Sequence, residues 1–303
     1  MEARYARVNR TTWRLHRIDK LAPFIQLPVK GLRKTDVRVL DPEIHLPIGS
    51  GESADVYRLP RGQVIKLFRH DITQDLMQRE YDAAELAARA GLRVARPLGW
   101  QTVQGRTGIL FEDLPSRDMR QTLRFRPFTL LIGIKRLADY QATMHGVEAG
   151  PPLHDQRIIL RHRIETAEVP DAWRSAAYAR LDGLPDGDRL CHGDLHPGNA
   201  IETDDGLAVI DWLNACTGHP LADAARTELL IRYGRHSRLL QRSAIFRIPR
   251  DSAAWSYTSF YARAAGVGRA DIAAWRLPVA VAWLQPRTSA NVPLLRAAIE
   301  RWL

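Results

Sequence analysis

The chain has 303 residues, of which 45% are hydrophobic, and it has a mean hydropathy of −0.28 and a formal net charge of +10. This length and composition predict a soluble globular protein large enough for two lobes, and no apolar run is long enough to cross a membrane. Cys191 and Cys216 are too few for a disulfide framework and no signal peptide is visible, so a cytoplasmic protein is expected.

The first 35 residues form a basic extension. They contain nine lysines and arginines against two acids, Glu2 and Asp19, and their apolar residues recur at a loosely helical spacing. A basic amphipathic helix can lie on an anionic membrane or bind nucleic acid. We expect instead a helix that packs on or flanks the neighbouring lobe with its charges in solvent, and no specific nucleic-acid partner.

Residues 36–115 are predicted to form a small β-rich lobe. Its first strands flank a turn at Gly49, Ser50 and Gly51, where glycine lets main-chain N–H groups approach phosphate oxygens. Lys66 lies in the next apolar strand, where a charge is costly unless it is paired. The turn and the lysine together are a candidate site for the phosphates of a nucleotide.

A helix and a β-hairpin complete the small lobe, and the rest of the chain is predicted to be mainly helical. A helix rich in Ala, Leu, Glu and Arg is expected from Gln74 to Ala90, ended by Gly91, and a β-hairpin follows with its turn at residues 104–106. Residues 116–303 would form a larger lobe. Its helices are predicted at 127–145, 157–181, 219–233, 251–265, 271–285 and 290–302.

Residues 191–214 carry the most informative polar groups. A polar loop followed by a β-hairpin, with its turn at residues 204–206, would bring Asp194, Asn199 and Asp211 to one point. Oxygen ligands of this kind suit Mg²⁺ that bridges the phosphates of a nucleotide. A further carboxylate beside the metal can orient a substrate hydroxyl for in-line attack.

The sequence His-Gly-Asp-Leu-His-Pro-Gly-Asn at residues 192–199, followed by Ile-Asp-Trp at 210–212, resembles the aminoglycoside phosphotransferase and choline kinase-like family. Residues 218–227 resemble its Gly-x-Pro-x-x-Asp segment, in which Asp223 would hydrogen-bond the catalytic loop. The resemblance implies a bilobal protein-kinase-like α+β fold, with a small antiparallel sheet and one helix in the N-lobe and a larger, mainly helical C-lobe. It also implies a kinase that transfers the γ-phosphate of ATP to a hydroxyl with Mg²⁺.

The same resemblance assigns roles to the loop residues. Asp194 would accept or orient the substrate hydroxyl, and Asn199 and Asp211 would hold Mg²⁺. His192 is the second catalytic candidate, and it is expected to brace the loop rather than to transfer a proton. His196 would either support the loop or contact the substrate.

On the nucleotide side, the resemblance implies that Glu80 pairs with Lys66, with Glu85 as the alternative partner. The segment around Glu112 and Leu114 resembles the hinge of the family, where main-chain groups of these two residues would read the adenine. Main-chain readout leaves no side-chain signature, so GTP is not excluded as the donor.

The acceptor is expected to be a small molecule such as a sugar, a sugar acid, an antibiotic or a related metabolite. The connection from Asp211 to Asp223 is too short for the activation segment of a protein kinase. Residues 229–303 carry twelve arginines and three acids, a balance that repels a polycation and favours a neutral or anionic acceptor. A local acidic cleft is the alternative. Its candidate residues are Asp113, Asp118, Glu165 and Glu168.

Two other functions are alternatives. The first is a kinase-like nucleotide-binding regulator that has lost transfer activity and uses its basic surface for nucleic acid or an anionic membrane. The intact set of Lys66, Asp194, Asn199 and Asp211 argues against it. The second is a kinase of a large acceptor, a protein or a lipopolysaccharide, which the basic face favours and the short segment after Asp211 disfavours.

Overall fold

A computed structural model describes residues 38–39, 47–114, 117–118, 127–234, 247–286 and 290–303. The basic extension predicted for residues 1–35 lies outside them. The first part of the fold is a six-stranded sheet in the order β1-β5-β6-β4-β3-β2, antiparallel except for the parallel pair β1 and β5. Its strands are β1 Arg38–Val39, β2 Gly49–Ser50, β3 Ala54–Leu59, β4 Gln63–Phe68, β5 Pro97–Val103 and β6 Arg106–Glu112.

Helix α1, Gln74–Arg89, connects β4 to β5 and confirms the helix predicted there. It begins at Thr73, whose hydroxyl accepts a hydrogen bond from the Leu76 N–H at 3.4 Å as an N-cap. It ends before Gly91, which has a φ of +81° that suits glycine. The buried residues of α1 share one face of the helix, so Glu80 is carried into the interior. They are Met77, Glu80, Ala83, Ala84 and Ala87.

The larger lobe is mainly helical, as predicted, but two predicted helices are each divided. The segment predicted at 157–181 is two helices, because Pro170 stands between them and cannot continue the first. The segment predicted at 271–285 is interrupted at Trp275, since Pro278 lacks the N–H that would bond the carbonyl four residues earlier. The helices are α2 Pro127–Met144, α3 Gln156–Glu165, α4 Asp171–Asp182, α5 Pro220–Tyr233, α6 Arg247–Ala265, α7 Arg269–Ala274, α8 Arg276–Trp283 and α9 Val292–Glu300.

Short strands frame the polar loops between α4 and α5. Strand β8, Arg189–Cys191, pairs antiparallel with β11, Cys216–Gly218. The predicted hairpin is present as β9, Ala200–Thr203, and β10, Gly206–Val209. Two loops are therefore held side by side: the one between β8 and β9, and the one between β10 and β11, which contains a 3-10 helix.

The third strand of the β9–β10 sheet is β7, Arg117–Asp118. The 3-10 helix between β10 and β11 spans Trp212–Asn214. Trp212 is almost wholly buried in one continuous apolar core, which joins Phe68 and Ile109 of the sheet to Leu137 and Tyr257 of the helical lobe. Within the described part of the chain, no helix combines the length and the apolar character that a membrane crossing needs.

The close approach of β11 to α3 gives a test of the packing. A Cβ on Gly218 would lie 2.4 Å from the Cβ of Gln156, whose side chain accepts a hydrogen bond from the His219 N–H at 2.9 Å. We expect Gly218→Ala to lower the free energy of unfolding in urea by about 1–3 kcal/mol through overpacking. Gly150→Ala is the control, because nothing lies within 4 Å of a Cβ there. Equal effects of the two substitutions would contradict the packing described.

Candidate functional site

A cleft of about 210 Å³ lies where the glycine turn of the sheet faces the hairpin loops of the larger lobe. Its lining includes seven of the residues singled out in the sequence, namely Gly49, Ser50, Gly51, Lys66, Glu80, Asn199 and Asp211. The apolar part of the lining could cover a planar ring. It is formed by Ala54, Val56, Val64, Ala95, Phe111, Ile210 and Trp212.

Lys66 is buried in the cleft between two carboxylates. Its Nζ donates hydrogen bonds of 2.6 and 2.9 Å to the two oxygens of Glu80 and one of 2.7 Å to Oδ1 of Asp211. The ion pair expected between Lys66 and Glu80 is therefore present. Burial alone would lower the pKa of Lys66, but the two carboxylates outweigh it and raise the pKa above its usual range. All three N–H donors of the ammonium group are engaged.

Glu85, the alternative partner, is engaged elsewhere. It accepts a hydrogen bond of 2.6 Å from Arg89, one turn further along α1, and lies on the exposed side of the helix. The buried face of α1 presents Glu80 to the lysine instead. Helix geometry thus decides between the two acids.

Asp211 has an unusual backbone. Its φ and ψ are both 65°, in the left-handed region that is uncommon for residues other than glycine. The preceding Ile210 N–H donates to the carbonyl of Asn199 at 3.0 Å, which ties the two loops together. Burial would raise the pKa of Asp211, but Lys66 outweighs it and lowers that pKa. The strained turn and the ion pair together direct this carboxylate into the cleft.

Asn199 connects the cleft to Asp194. Its Nδ2 donates to the main-chain carbonyl of Asp194 at 2.9 Å and lies 3.4 Å from the carboxylate oxygen Oδ2 of the same residue. The other oxygen, Oδ1, lies 3.7 Å from Nη2 of Arg226, and His196 Nε2 lies 3.8 Å from Oδ2. The side chain of Asp194 is 25% exposed. The carboxylate therefore stays within reach of a second substrate.

His192 is buried beneath the loop. Its Nε2 donates to the Ile210 carbonyl at 3.1 Å, and its Nδ1 accepts from the Asp194 N–H at 3.3 Å. The ring also packs against Trp212 at a centroid distance of 4.8 Å. Both ring nitrogens are engaged by the main chain, an arrangement that fits a brace and leaves neither nitrogen available to a substrate proton.

Gly193 allows the tight approach of the two loops. It has a φ of +75°, and a Cβ there would lie 2.3 Å from the carbonyl oxygen of Asn214. No other residue fits without moving that backbone. The loop sequence at this position is thus dictated by the neighbouring loop.

Asp223 anchors the loop from below. It is buried at the start of α5 and accepts hydrogen bonds from the main-chain N–H groups of His192 at 3.1 Å and Gly193 at 2.7 Å. Gln141 donates to it at 2.8 Å, and His145 Nε2 lies 3.2 Å away. Burial would raise the pKa of Asp223, but these partners, His145 first, lower it to about 2.

The network below the loop extends into α6 through two tyrosines whose polar contacts the sequence did not predict. Tyr261 Oη lies 2.6 Å from His145 Nδ1, and the Tyr257 hydroxyl donates to Gln141. All four side chains are buried. The one signal in the sequence was the presence of polar residues at the core positions of predicted helices.

The glycine turn is pinned by a second group of residues that sequence reasoning missed. The hydroxyl of Ser50 donates to Asp55 at 2.7 Å, and Arg69 and Arg106 also bond that carboxylate, at 3.0 and 2.9 Å. Its hydrogen bonds to Ser50 and Arg106 lower the pKa of Asp55. The Gly51 N–H donates to the Ala54 carbonyl at 2.9 Å, so this turn is closed on itself.

The predicted hinge lies at the end of β6. The side chain of Phe111 lines the cleft, whereas Glu112 and Leu114 border a separate surface pocket with Arg93 and Arg96. The Glu112 N–H donates to the Arg96 carbonyl at 3.0 Å. The structure does not bring the side chains of Glu112 and Leu114 into the cleft.

Comparison with known proteins decides the family. The phosphotransferase enzyme family matches residues 45–261, which is more than half of the chain. The chain belongs to the phosphotransferase enzyme family. As a member of that family it is a phosphotransferase with an alcohol group as acceptor, and the resemblance seen in the loop sequences is confirmed. Among curated protein sequences, none matches the chain.

Solved structures of other kinases share the fold of this phosphotransferase, which confirms the predicted bilobal α+β architecture. A choline/ethanolamine kinase family protein from Mesorhizobium loti has a TM-score of 0.56 at 16% identity, over 85% of this chain and 81% of the other. An amicoumacin kinase has a TM-score of 0.57 at 15% identity, over 88% of this chain and 89% of the other. An aminoglycoside-3'-phosphotransferase of type VIII has a TM-score of 0.55 at 17% identity, over 78% of this chain and 93% of the other.

The anchor beneath the loop predicts an acid sensitivity of this phosphotransferase. The pKa of Asp223 is lower in the folded protein than its usual 3.8, so its ionised form stabilises the fold above that pH. This stabilisation is lost as the pH falls from about 4 towards 2. We expect Asp223→Asn to lower the free energy of unfolding by about 3–5 kcal/mol at pH 7. Urea unfolding at several pH values should show the difference from the wild type shrinking towards pH 3; a constant difference would contradict it.

The ion pair of Lys66 predicts the opposite pH dependence in a variant. Burial raises the pKa of Glu80 to about 7 even beside Lys66, which lowers it. In Lys66→Met the pKa of Glu80 should rise further, so the folded state takes up a proton that the unfolded state does not bind above its usual pKa of 4.5. The free energy of unfolding of Lys66→Met should therefore fall as the pH rises from 5 to 8.

The control is the double variant Lys66→Met with Glu80→Gln, which has no carboxyl group at position 80. Its unfolding free energy should vary less with pH than that of the single variant, in parallel urea titrations. Equal slopes would show that Glu80 is not the group responsible.

Proposed function

We propose that this phosphotransferase transfers the γ-phosphoryl group of ATP, with Mg²⁺, to a hydroxyl of a small molecule such as a sugar, a sugar acid, an antibiotic or a related metabolite. The observation that carries the proposal is the meeting of Lys66, Asn199 and Asp211 in one cleft with Asp194 beside it. Residues 36–115 would form the nucleotide-binding lobe, and residues 116–303 would supply the catalytic loop and the acceptor helices.

The donor set of the cleft fits a divalent ion. Asn199 uses its amide nitrogen on Asp194, which leaves its amide oxygen for another partner, and Asp211 has a second carboxylate oxygen beyond the one that bonds Lys66. Carboxylate and amide oxygens are the ligands that Mg²⁺ prefers. Asn199 and Asp211 would hold the ion, which neutralises phosphate charge when it is bound. A similar structure, the amicoumacin kinase, is a complex with AMP-PNP and Ca²⁺, which supports the use of a nucleotide and a divalent ion.

Lys66 would contact the nucleotide phosphates. Because its three donors are already engaged by Glu80 and Asp211, a phosphate oxygen has to replace one of these contacts. The contact with Asp211 is the more replaceable, since that side chain is 38% exposed and Glu80 is only 1% exposed. The glycine turn at Gly49, Ser50 and Gly51 would cover the phosphates. GTP is a possible second donor, and both nucleotides belong in the binding assay.

Asp194 would act on the acceptor. Its carboxylate would orient the substrate hydroxyl and take its proton while the hydroxyl oxygen bonds to the γ-phosphorus. The bond from that phosphorus to the β–γ bridging oxygen breaks at the same time, and the nucleoside diphosphate leaves. His192 and Asp223 would hold the loop in place for this step. Positioning and charge stabilisation would supply the catalysis.

The connection after Asp211 supports a small acceptor. From this residue the chain passes through the 3-10 helix and β11 directly into α5 at Pro220. That path holds no segment on which a protein substrate could be bound in the manner of a protein kinase. The antibiotic kinases among the similar structures support antibiotics as one group of candidate acceptors.

Two of the acids that could make an acidic cleft are engaged elsewhere. Asp113 pairs with Arg58 at 2.6 Å, and Glu165 accepts from the Tyr178 hydroxyl at 2.8 Å. The side chain of Asp118 lies outside the described residues. The neighbours of the Asp194 carboxylate are Arg226 and His196 instead. These contacts support a neutral or anionic acceptor rather than a polycation.

Substitutions in the two loops test the proposal. We expect Asp194→Ala to reduce turnover by on the order of 10²–10⁴-fold, because it removes the group that handles the hydroxyl proton. Asp211→Ala should abolish nucleotide binding that depends on Mg²⁺. The measurements are calorimetric titration of ATP and GTP, and mass spectrometry of acceptors from a panel of antibiotics, sugars and sugar acids for an added phosphate.

Asp204→Ala is the matched control, since this aspartate lies exposed in the turn of the same hairpin. It should retain wild-type binding and turnover. Wild-type activity in Asp194→Ala or Asp211→Ala would show that the loops do not form the catalytic site.

A further inference from the structure

We propose that Arg163 and Arg226 form a subsite for an anionic group of the acceptor, next to Asp194. The acceptor would then carry a carboxylate or phosphate group close to the hydroxyl that is phosphorylated. The inference rests on the proposed function, since it takes Asp194 as the residue that meets the acceptor hydroxyl.

Arg226 is a poorly neutralised guanidinium at the edge of the loop. It lies on α5 with its side chain only 14% exposed, and its guanidinium stacks over the ring of Trp283 at 4.2 Å. Nε donates to the Gly193 carbonyl at 3.4 Å, and Nη2 approaches Asp194 at 3.7 Å. Among the described residues, Nη1 has no hydrogen-bond partner. Burial lowers the pKa of Arg226 to about 10, although Asp194 opposes this shift.

Arg163 approaches the same loop from α3. Its Nη2 donates to Oδ1 of Asn214 at 3.3 Å, and Asn214 is the residue whose carbonyl packs against Gly193. No carboxylate in the described ranges forms an ion pair with Arg163. Burial lowers its pKa too, and Asp194 is among the groups that raise it. Asp194 is thus within electrostatic range of both arginines.

The positive charge of the two arginines near Asp194 is not fully neutralised. Two largely buried guanidinium groups lie within electrostatic range of the Asp194 carboxylate. Asp223 of α5 also acts on Arg226, but it is committed to His145 and to main-chain N–H groups. A buried cation is stable when an anion or several acceptors satisfy it. An anionic group of a bound acceptor would supply the missing charge.

The arginines are placed for the acceptor rather than for the nucleotide. Neither lines the cleft that contains Lys66 and Asp211. The two oxygens of Asp194 have different neighbours, Asn199 of the cleft near Oδ2 and Arg226 near Oδ1. A hydroxyl held at this carboxylate would therefore have the nucleotide on one side and the arginine pair on the other.

This arrangement selects a class of substrate. Hydroxy acids, such as sugar acids, and phosphorylated hydroxyl compounds present both groups that the site would hold. The planar guanidinium of arginine suits bidentate recognition of carboxylate and phosphate. Polycations are disfavoured, because their ammonium groups would be repelled by the same arginines.

The test measures binding of an anion to enzyme whose nucleotide site is already filled. The protein is saturated with Mg²⁺ and AMP-PNP, and inorganic phosphate, gluconate, glucose 6-phosphate, glucose and kanamycin are titrated separately by calorimetry. We expect an anion to bind the wild type, and Arg163→Gln and Arg226→Gln each to weaken its binding by on the order of tenfold or more. Arg226→Lys should lose less affinity than Arg226→Gln, since it keeps the charge but not the planar donor geometry.

Arg180→Gln is the matched control, because this exposed arginine lies on α4 away from the loop. It should bind the anion as the wild type does. Unfolding in urea is followed for every variant, and Arg163→Gln keeps the test decisive if Arg226→Gln does not fold. Affinity that is unchanged in both glutamine variants, or kanamycin binding more tightly than every anion, would overturn the subsite.

The affinity for AMP-PNP distinguishes failure of the subsite from failure of the proposed function. If AMP-PNP binds neither the wild type nor the variants, the proposed function itself fails. If it binds all of them equally and anion binding does not depend on Arg163 or Arg226, only the subsite is refuted.

Discussion

The structure around the cleft depends on one buried ammonium group. Lys66 lies on a central strand, and it is stable there because Glu80 of α1 and Asp211 of the hairpin loop both reach it. A buried charge that loses its partner is strongly destabilising. Along the chain, Glu80 is 14 residues from Lys66 and Asp211 is 145 residues from it. The lysine therefore holds strand, helix and loop in one arrangement. The cleft between the lobes is the space that this triad leaves open.

A second buried charge sets the shape of the loop itself. Asp223 gathers two main-chain N–H groups of the loop together with Gln141 and His145, so the backbone before Asp194 has little freedom. The left-handed turn at Asp211 stores strain that the surrounding hydrogen bonds compensate. The proposed catalytic groups are thus positioned mainly by buried polar contacts, which lose strength quickly when a partner is removed.

The surroundings of Asp194 show why a shared fold does not determine a substrate. Several similar structures are kinases of aminoglycosides, yet the carboxylate here lies beside Arg226 and within electrostatic range of Arg163. Charge of this sign is the basis for the proposed anionic acceptor. A common fold and cleft would then serve kinases of opposite preference, because a few side chains at the edge of the loop would set the charge of the acceptor site.

Local spacing in the sequence was enough to predict the glycine turn, the strand lysine, the loop of Asp194 and Asn199, and helix α1. It did not reveal the breaks near Pro170 and Trp275, where a proline interrupts an otherwise helical pattern. The sequence by itself determined which chemical groups the chain possesses and the family to which it belongs. Only the tertiary structure decided that two arginines, 63 residues apart, lie within electrostatic range of one carboxylate, because electrostatic neighbours come from distant segments that the fold brings together.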